Sequence, residues 1–109
     1  MTDPQFIVIL TTCATRNEAQ TIAQRLVEER CAACVNIVDN VLSVYRWQGK
    51  VETGNEALLI IKTRATLAEQ VEKTIKTMSS YECPEVIVLP IVGGLPEYLG
   101  WVTDQTAGE

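Results

Sequence analysis

The stretch CAACVNIVDNVLSVYRWQGKVETGNEALLIIKT, Cys31 to Thr63, decides the fold. Two long apolar, β-branched runs meet at Gln48-Gly49-Lys50-Val51. A Gly inside a short polar break between two such runs marks a hairpin. In the first arm Val41, Ser43, Tyr45 and Trp47 alternate with Leu42, Val44 and Arg46. In the second, Ala57, Leu59 and Ile61 alternate with Glu56, Leu58, Ile60 and Lys62. Each arm therefore has two distinct faces. The first arm should run from Ala33 to Gln48, with a bulge expected at Asp39-Asn40. At about 3.3 Å per residue that is roughly 50 Å of strand. A chain of this size has a radius of gyration of only about 13 Å. The hairpin should outgrow its own core. Tyr45 and Trp47 near its far end want burial, and a second copy of the chain is the simplest cover.

Outward from the hairpin, Gln5 to Thr12 is a continuous apolar run, short enough for a buried strand. Thr15 and Glu18 form a capping-box pattern. Ala19, Ile22, Ala23, Leu26 and Val27 follow at helical spacing, which predicts a helix over Asn17 to Arg30. Thr66 and Glu69 suggest a second box, and Leu67, Val71, Ile75 and Met78 a second helix ending near Ser79. Glu85 to Val92 reads as a last strand, with Pro90 indicating an edge or a bulge. After Gly93-Gly94, Pro96 can open a short helix carrying Tyr98, Leu99, Trp101 and Val102, and the tail from Thr103 should fray. The order strand, helix, strand, strand, helix, strand is the ferredoxin-like split βαβ (βαββαβ) pattern of an α+β domain covering residues 1–109. Its antiparallel-type sheet has the order 4-1-3-2. The first strand is expected beside the third and parallel to it, with the fourth antiparallel on its other side. Both helices then cover one face. The other face is apolar too, again favouring an oligomer.

Composition bounds the function. The chain has 109 residues, 47% of them apolar, enough for one domain with a real core. Its net charge is -5, with no Lys/Arg cluster, so a nucleic-acid partner is not expected. The opening residues lack the basic region of a signal peptide, and no run approaches the ~20 apolar residues of a membrane span. A soluble cytoplasmic protein, with no membrane partner, is the expectation. There is no histidine, which removes the usual general base and the commonest metal ligand.

The cysteines are Cys13, Cys31, Cys34 and Cys83, expected as thiols. Cys31-Ala-Ala-Cys34 closes a helix and enters a strand, whereas a redox CxxC opens a helix. Two small buried hydrophobes describe it better. Cys13 has no His partner and no nucleophile elbow. The sheet lacks the mid-sheet aromatics and basic flanks of an RNA binder. One constellation remains. The expected topology brings Cys13, Lys62, Tyr81, Cys83 and Glu85 to one sheet edge with Met78 nearby, and puts Cys34 at that edge about 10 Å from the first strand.

Four blocks, CAACVNIV (31–38), SVYRWQGKVE (43–52), EALLIIKT (56–63) and YECPEVIVLPIVGGLPEYLGW (81–101), resemble the CutA divalent-cation tolerance family over nearly the whole chain. The resemblance implies a cytoplasmic, ferredoxin-like homotrimer, PII-like in architecture, linked to copper and divalent-metal tolerance, with no catalytic reaction. The family's copper site is matched by Cys13. Its one or two His ahead of the Tyr are absent from Thr77-Met78-Ser79-Ser80-Tyr81. Met78 and Cys83 would be the remaining soft donors, suited to Cu(I) rather than Cu(II). The resemblance also implies an intersubunit ligand cleft formed by residues matching Trp47, Glu56, Lys62, Tyr81, Glu85, Tyr98 and Trp101. The alternative it suggests is a PII-like sensor that binds an anionic or amphipathic metabolite there through Lys62 and the aromatics.

Overall fold

A computed structural model describes residues 4–108; the outermost residues of the expected 1–109 domain lie outside the described residues. The chain runs β1 (Phe6–Cys13), α1 (Arg16–Glu28), β2 (Cys34–Trp47), β3 (Lys50–Arg64), a 3-10 turn (Ala65–Leu67), α2 (Ala68–Met78), β4 (Ile87–Ile91) and α3 (Pro96–Thr106). The sheet order is β2-β3-β1-β4, the expected 4-1-3-2 read from the other edge.

One expectation is overturned. β1 and β3 are antiparallel, with Phe6 opposite Arg64 and Cys13 opposite Ala57. The β1-α1-β2 crossover makes β1 and β2 parallel and leaves one slot between them. The hairpin folds β3 back into that slot, antiparallel to both neighbours. The consequence for the expected sheet-edge cluster is large. Lys62 pairs with Val8 and Cys34, five residues along β3 from Ala57. Along the strand that is about 17 Å from the Cys13 position.

The core lies between the sheet and α1 and α2. Ile7, Ile9 and Cys13 of β1, Leu59 and Ile61 of β3, Ile22 and Leu26 of α1, and Val71 and Ile75 of α2 are all buried. The alternation within β1 and β3 is the cause: one set faces the helices and its neighbours face the open side. Val27, expected on the core side of α1, is exposed.

Local chemistry sets the element ends. Thr15 caps α1 by accepting from the Glu18 N–H at 3.1 Å. Arg30, at φ 59, turns the chain out of α1, and the Cys31 N–H donates back to the Leu26 carbonyl at 2.9 Å. The second box does not form. Thr66 lies within the 3-10 turn, so Leu67 becomes the cap residue and makes no side-chain bond. β4 is shorter than expected, which leaves Glu85 in the preceding loop, and it is an edge strand paired only with β1. An edge tolerates the missing N–H of Pro90. The C-terminal tail is not frayed through its first turn. α3 continues to Thr106, which is buried, and Arg64 donates to both its Oγ1 and its carbonyl at 2.8 Å.

The hairpin is as long as expected, and the molecule measures 44 × 31 × 22 Å. Its turn is Gln48-Gly49, both at positive φ, with Trp47 paired to Lys50. The bulge is where the sequence places it. Val38 pairs with Leu58 but Val41 pairs with Glu56, so β2 carries one residue more than β3 across this step. Asn40 takes up the distortion at φ 56, with its N–H on Asp39 Oδ1 at 2.9 Å. The left-handed region suits Asn and excludes β-branched residues. Asn40→Val should therefore destabilise the protein by about 1–2 kcal/mol while Asn40→Gly stays within about 0.5 kcal/mol of the parent. Urea denaturation at fixed protein concentration checks the pair, and equal costs would show that the bulge is not held by the Asn40 backbone.

Candidate functional site

Where the hairpin leaves the core, a cavity of about 590 Å³ opens on the sheet face opposite α1 and α2. Thr12 reaches it from the end of β1, Ser43, Tyr45 and Trp47 from β2, and Glu56 from β3. The segment between α2 and β4 closes it with Tyr81, Glu82, Cys83 and Glu85. The bulge is what makes this possible. By adding one residue it moves Ser43, Tyr45 and Trp47 onto the face of Glu56 and sends Leu42, Val44 and Arg46 to the other.

The α2–β4 segment is held by specific bonds. Glu18 Oε1 accepts from the Ser80 N–H at 3.2 Å, and Ser79 Oγ accepts from the Tyr81 N–H at 3.0 Å. The Tyr81 hydroxyl then donates to Glu56 Oε2 at 2.6 Å, a short bond to a charged acceptor. Burial alone would raise the Glu56 pKa. Hydrogen bonds from Ser43, Tyr81 and Thr12 outweigh it and hold the carboxyl below its ordinary value, so Glu56 is ionised. Burial, then the bond to Glu56, push the Tyr81 hydroxyl up. Burial, then the charge of Glu56, raise Glu85. Among the described residues lining the cavity none is Lys or Arg.

Four of the seven expected cleft residues, Trp47, Glu56, Tyr81 and Glu85, meet here. Lys62 does not. It lies on the open face at the far end of β3, with its Nζ donating to Asn36 Oδ1. Tyr98 and Trp101 stack on one another on α3, ring centroids 5.5 Å apart, away from this cavity within one chain. Thr12 and Ser43 were not singled out in the sequence, where isolated hydroxyl residues give no signal.

The three expected copper donors sit in different surroundings. Cys13 alternates with Ile7, Ile9 and Thr11 on the helix-facing side of β1 and is buried, whereas Cys83 is exposed and lines the cavity. Met78 packs against the core and does not line the cavity. Burial, then the charge of Glu18, push the Cys13 thiol up to about 11. Among the described residues no group of three His, Cys, Asp or Glu side chains stands close enough to hold a metal ion. A buried thiol held in its protonated form is a poor copper ligand. Cys34, expected at the Cys13 edge, sits at the other end of the sheet beside Lys62. Cys31 and Cys34 are free thiols, and each makes its own weak local contact, to Glu29 O and Asn36 Oδ1.

Residues 7–105 match the profile of the CutA1 divalent ion tolerance protein. The chain belongs to the CutA1 family. It is 44% identical over 99 residues to the divalent-cation tolerance protein CutA of Thermus thermophilus, covering 91% of this chain and 96% of that one. It is 45% identical over 100 residues to the chloroplastic CutA protein of Arabidopsis thaliana, covering 92% of this chain but only 55% of the plant protein, so it spans about half of that relative's length. Its fold superposes on the crystal structure of CutA1 from Shewanella sp. SIB1 with a TM-score of 0.94 at 37% identity, covering 98% and 100% of the two chains. The family and the Thermus thermophilus relative are named for ion tolerance and not for a reaction. Among the described residues no helix is long and apolar enough to cross a membrane.

The two cavity carboxylates carry opposite pH signs. Glu56, lowered in the fold, contributes stability above its ordinary value of 4.5 and loses it as pH falls through its folded pKa. Glu85, raised, favours the fold when protonated and loses that contribution as pH rises. Glu56→Gln should lower stability at pH 7 by about 1 kcal/mol, discounted for partial exposure, with the difference shrinking below about pH 4. Glu85→Gln should instead raise the urea midpoint at pH 7, and that gain should vanish near pH 4. Between pH 6 and 8 the parent should be nearly flat, because there is no histidine and the shifts of Glu56, Cys13 and Tyr81 all lead away from that window. Identical pH profiles for the two variants would contradict the assignment.

Proposed function

We propose that this chain is a non-enzymatic, cytoplasmic homotrimer that serves divalent-cation tolerance by binding a small ligand in the hairpin cavity, not by holding copper. The cavity carries the reading: it has ligand-pocket size, an ionised carboxylate fixed by a 2.6 Å tyrosine bond, and aromatic walls. Catalysis has little support. The chain has no His, Cys13 is buried and protonated, and the Tyr81 hydroxyl is committed to Glu56. A PII-like sensor of a small metabolite is compatible with such a cavity. An anionic metabolite held by Lys62 is disfavoured, since Lys62 lies outside the wall.

Support for the trimer comes from exposed apolar surface on one chain. Leu42, Val44 and Val51 of the hairpin are 64–67% exposed, and Ile87, Val88 and Leu89 of the β4 edge 43–46%. Patches of this kind mark interfaces. The outer edges of β2 and β4 are also unpaired within the chain. Light scattering after size exclusion should give three times the chain mass. Trp47→Ala should weaken the assembly by about 3 kcal/mol per subunit if its ring is covered there. A stable monomer at micromolar concentration refutes the assembly.

Copper should bind weakly. Titration with Cu(II) should give no stoichiometric site. Cu(I), added under reducing conditions, should bind loosely through the exposed Cys83 and be lost in Cys83→Ser but not in Cys13→Ser. Tight copper binding that disappears in Cys13→Ser would restore Cys13 as a copper donor.

A further inference from the structure

The hairpin cavity also carries a statement about ligand class. Glu56, Glu82 and Glu85 line it; beyond the lining, Glu52 stands across from Tyr45 and Lys50 across from Trp47 on the same face, so the net charge of this surface stays negative. Tyr45, Trp47 and Tyr81 supply aromatic surface. Carboxylates beside aromatic faces, with no lining Lys or Arg, attract positive charge and repel anions. Two kinds of cation could answer. A bare metal ion needs several ligands converging within bonding distance, and no group of three such side chains among the described residues does so. A volume near 590 Å³ is also far larger than an ion and its ligands require, and it matches a small organic molecule. We propose that the hairpin cavity binds an organic ammonium ion, its charge beside Glu56 and its carbon skeleton against Trp47, Tyr45 and Tyr81. The assignment rests on the reading of this cavity as a ligand site and adds the chemical class.

Glu56 is the anchor. It is ionised, lines the cavity, and is fixed by the Tyr81 hydroxyl. Cation–π attraction to the rings then discriminates an ammonium from a neutral molecule of the same shape.

The test is calorimetric titration of the full chain in its native assembly with choline and spermidine. The comparison probes are 3,3-dimethylbutan-1-ol (the uncharged analogue of choline), citrate and magnesium chloride. Choline or spermidine should bind, and the uncharged alcohol should bind at least about tenfold more weakly. Glu56→Gln should weaken ammonium binding about tenfold. Glu82→Gln, at an exposed position, should weaken it less while leaving the fold unchanged, which keeps the test open if Glu56→Gln misfolds. Lys62→Met should leave it unaltered. Binding of citrate or of the alcohol as tight as that of the ammonium probes, lost in Glu56→Gln or Glu82→Gln, overturns the ammonium class and leaves the ligand cavity standing. Magnesium binding that depends on Glu56 overturns it in favour of a metal. Absence of binding by every probe overturns both the class and the cavity reading, as it would if a side chain of a neighbouring subunit filled the space.

Discussion

One additional residue in β2, at Asp39-Asn40, determines which side chains meet on the open face of the sheet. A strand alternates with a period of two, so an inserted residue inverts everything beyond it. Without the bulge, the face of Glu56 would receive Leu42, Val44 and Arg46. With it, that face receives Ser43, Tyr45 and Trp47. That hydroxyl and those rings line the cavity beside the ionised Glu56. The strain at Asn40, φ 56, is thus tied to the site even though Asn40 does not line it.

The second constraint is polar and runs underneath. Glu18, in the first turn of α1, accepts from the Ser80 N–H and lies beside the Cys13 thiol. It joins the helix start, the end of β1 and the segment after α2. Tyr81 follows one residue later and spans to Glu56 on β3. Four sequence-distant pieces are therefore fixed by two carboxylates. Both are only partly buried, which keeps their desolvation cost moderate. Cys13 gains nothing from this arrangement as a nucleophile or a ligand. Burial and neighbouring carboxylates favour its protonated form, and its packing among Ile7, Ile9 and Ala57 makes it a small core residue.

Much of the architecture was legible because it is encoded at short range. The hairpin turn, the bulge, the Thr15 cap and the apolar period of both helices are read from neighbouring residues. The strand order followed from connectivity, but the direction of β1 against β3 did not, because the expectation omitted that the crossover partner of β1 is β2. That single error carried Lys62 and Cys34 to the wrong end of the sheet. The Thr66 box failed because Leu67 continues the turn into α2 and leaves no extended residue at the Thr66 position. The anchoring of the tail depends on Arg64 and Thr106, 42 residues apart, for which sequence spacing offers no cue. At the site, Tyr81, Glu56, Glu85 and Trp47 carried a family resemblance, whereas Ser43 and Thr12 become readable only after the bulge parity is applied to Glu56.

In the proposed trimer, cavity and assembly share a wall. Tyr45 and Trp47 line the cavity, and both project along the arm that extends beyond the core, each 47% exposed on the single chain. Residues on an arm with so little of its own core behind it have low local stability until something packs against them. A neighbouring subunit that restrains the arm would also restrain the rings, and a ligand gripping the rings would restrain the arm. The two events then act on one conformational equilibrium, so by linkage each strengthens the other by the same factor. Such a coupling needs no metal in the site, because the rings and the arm are one structural element.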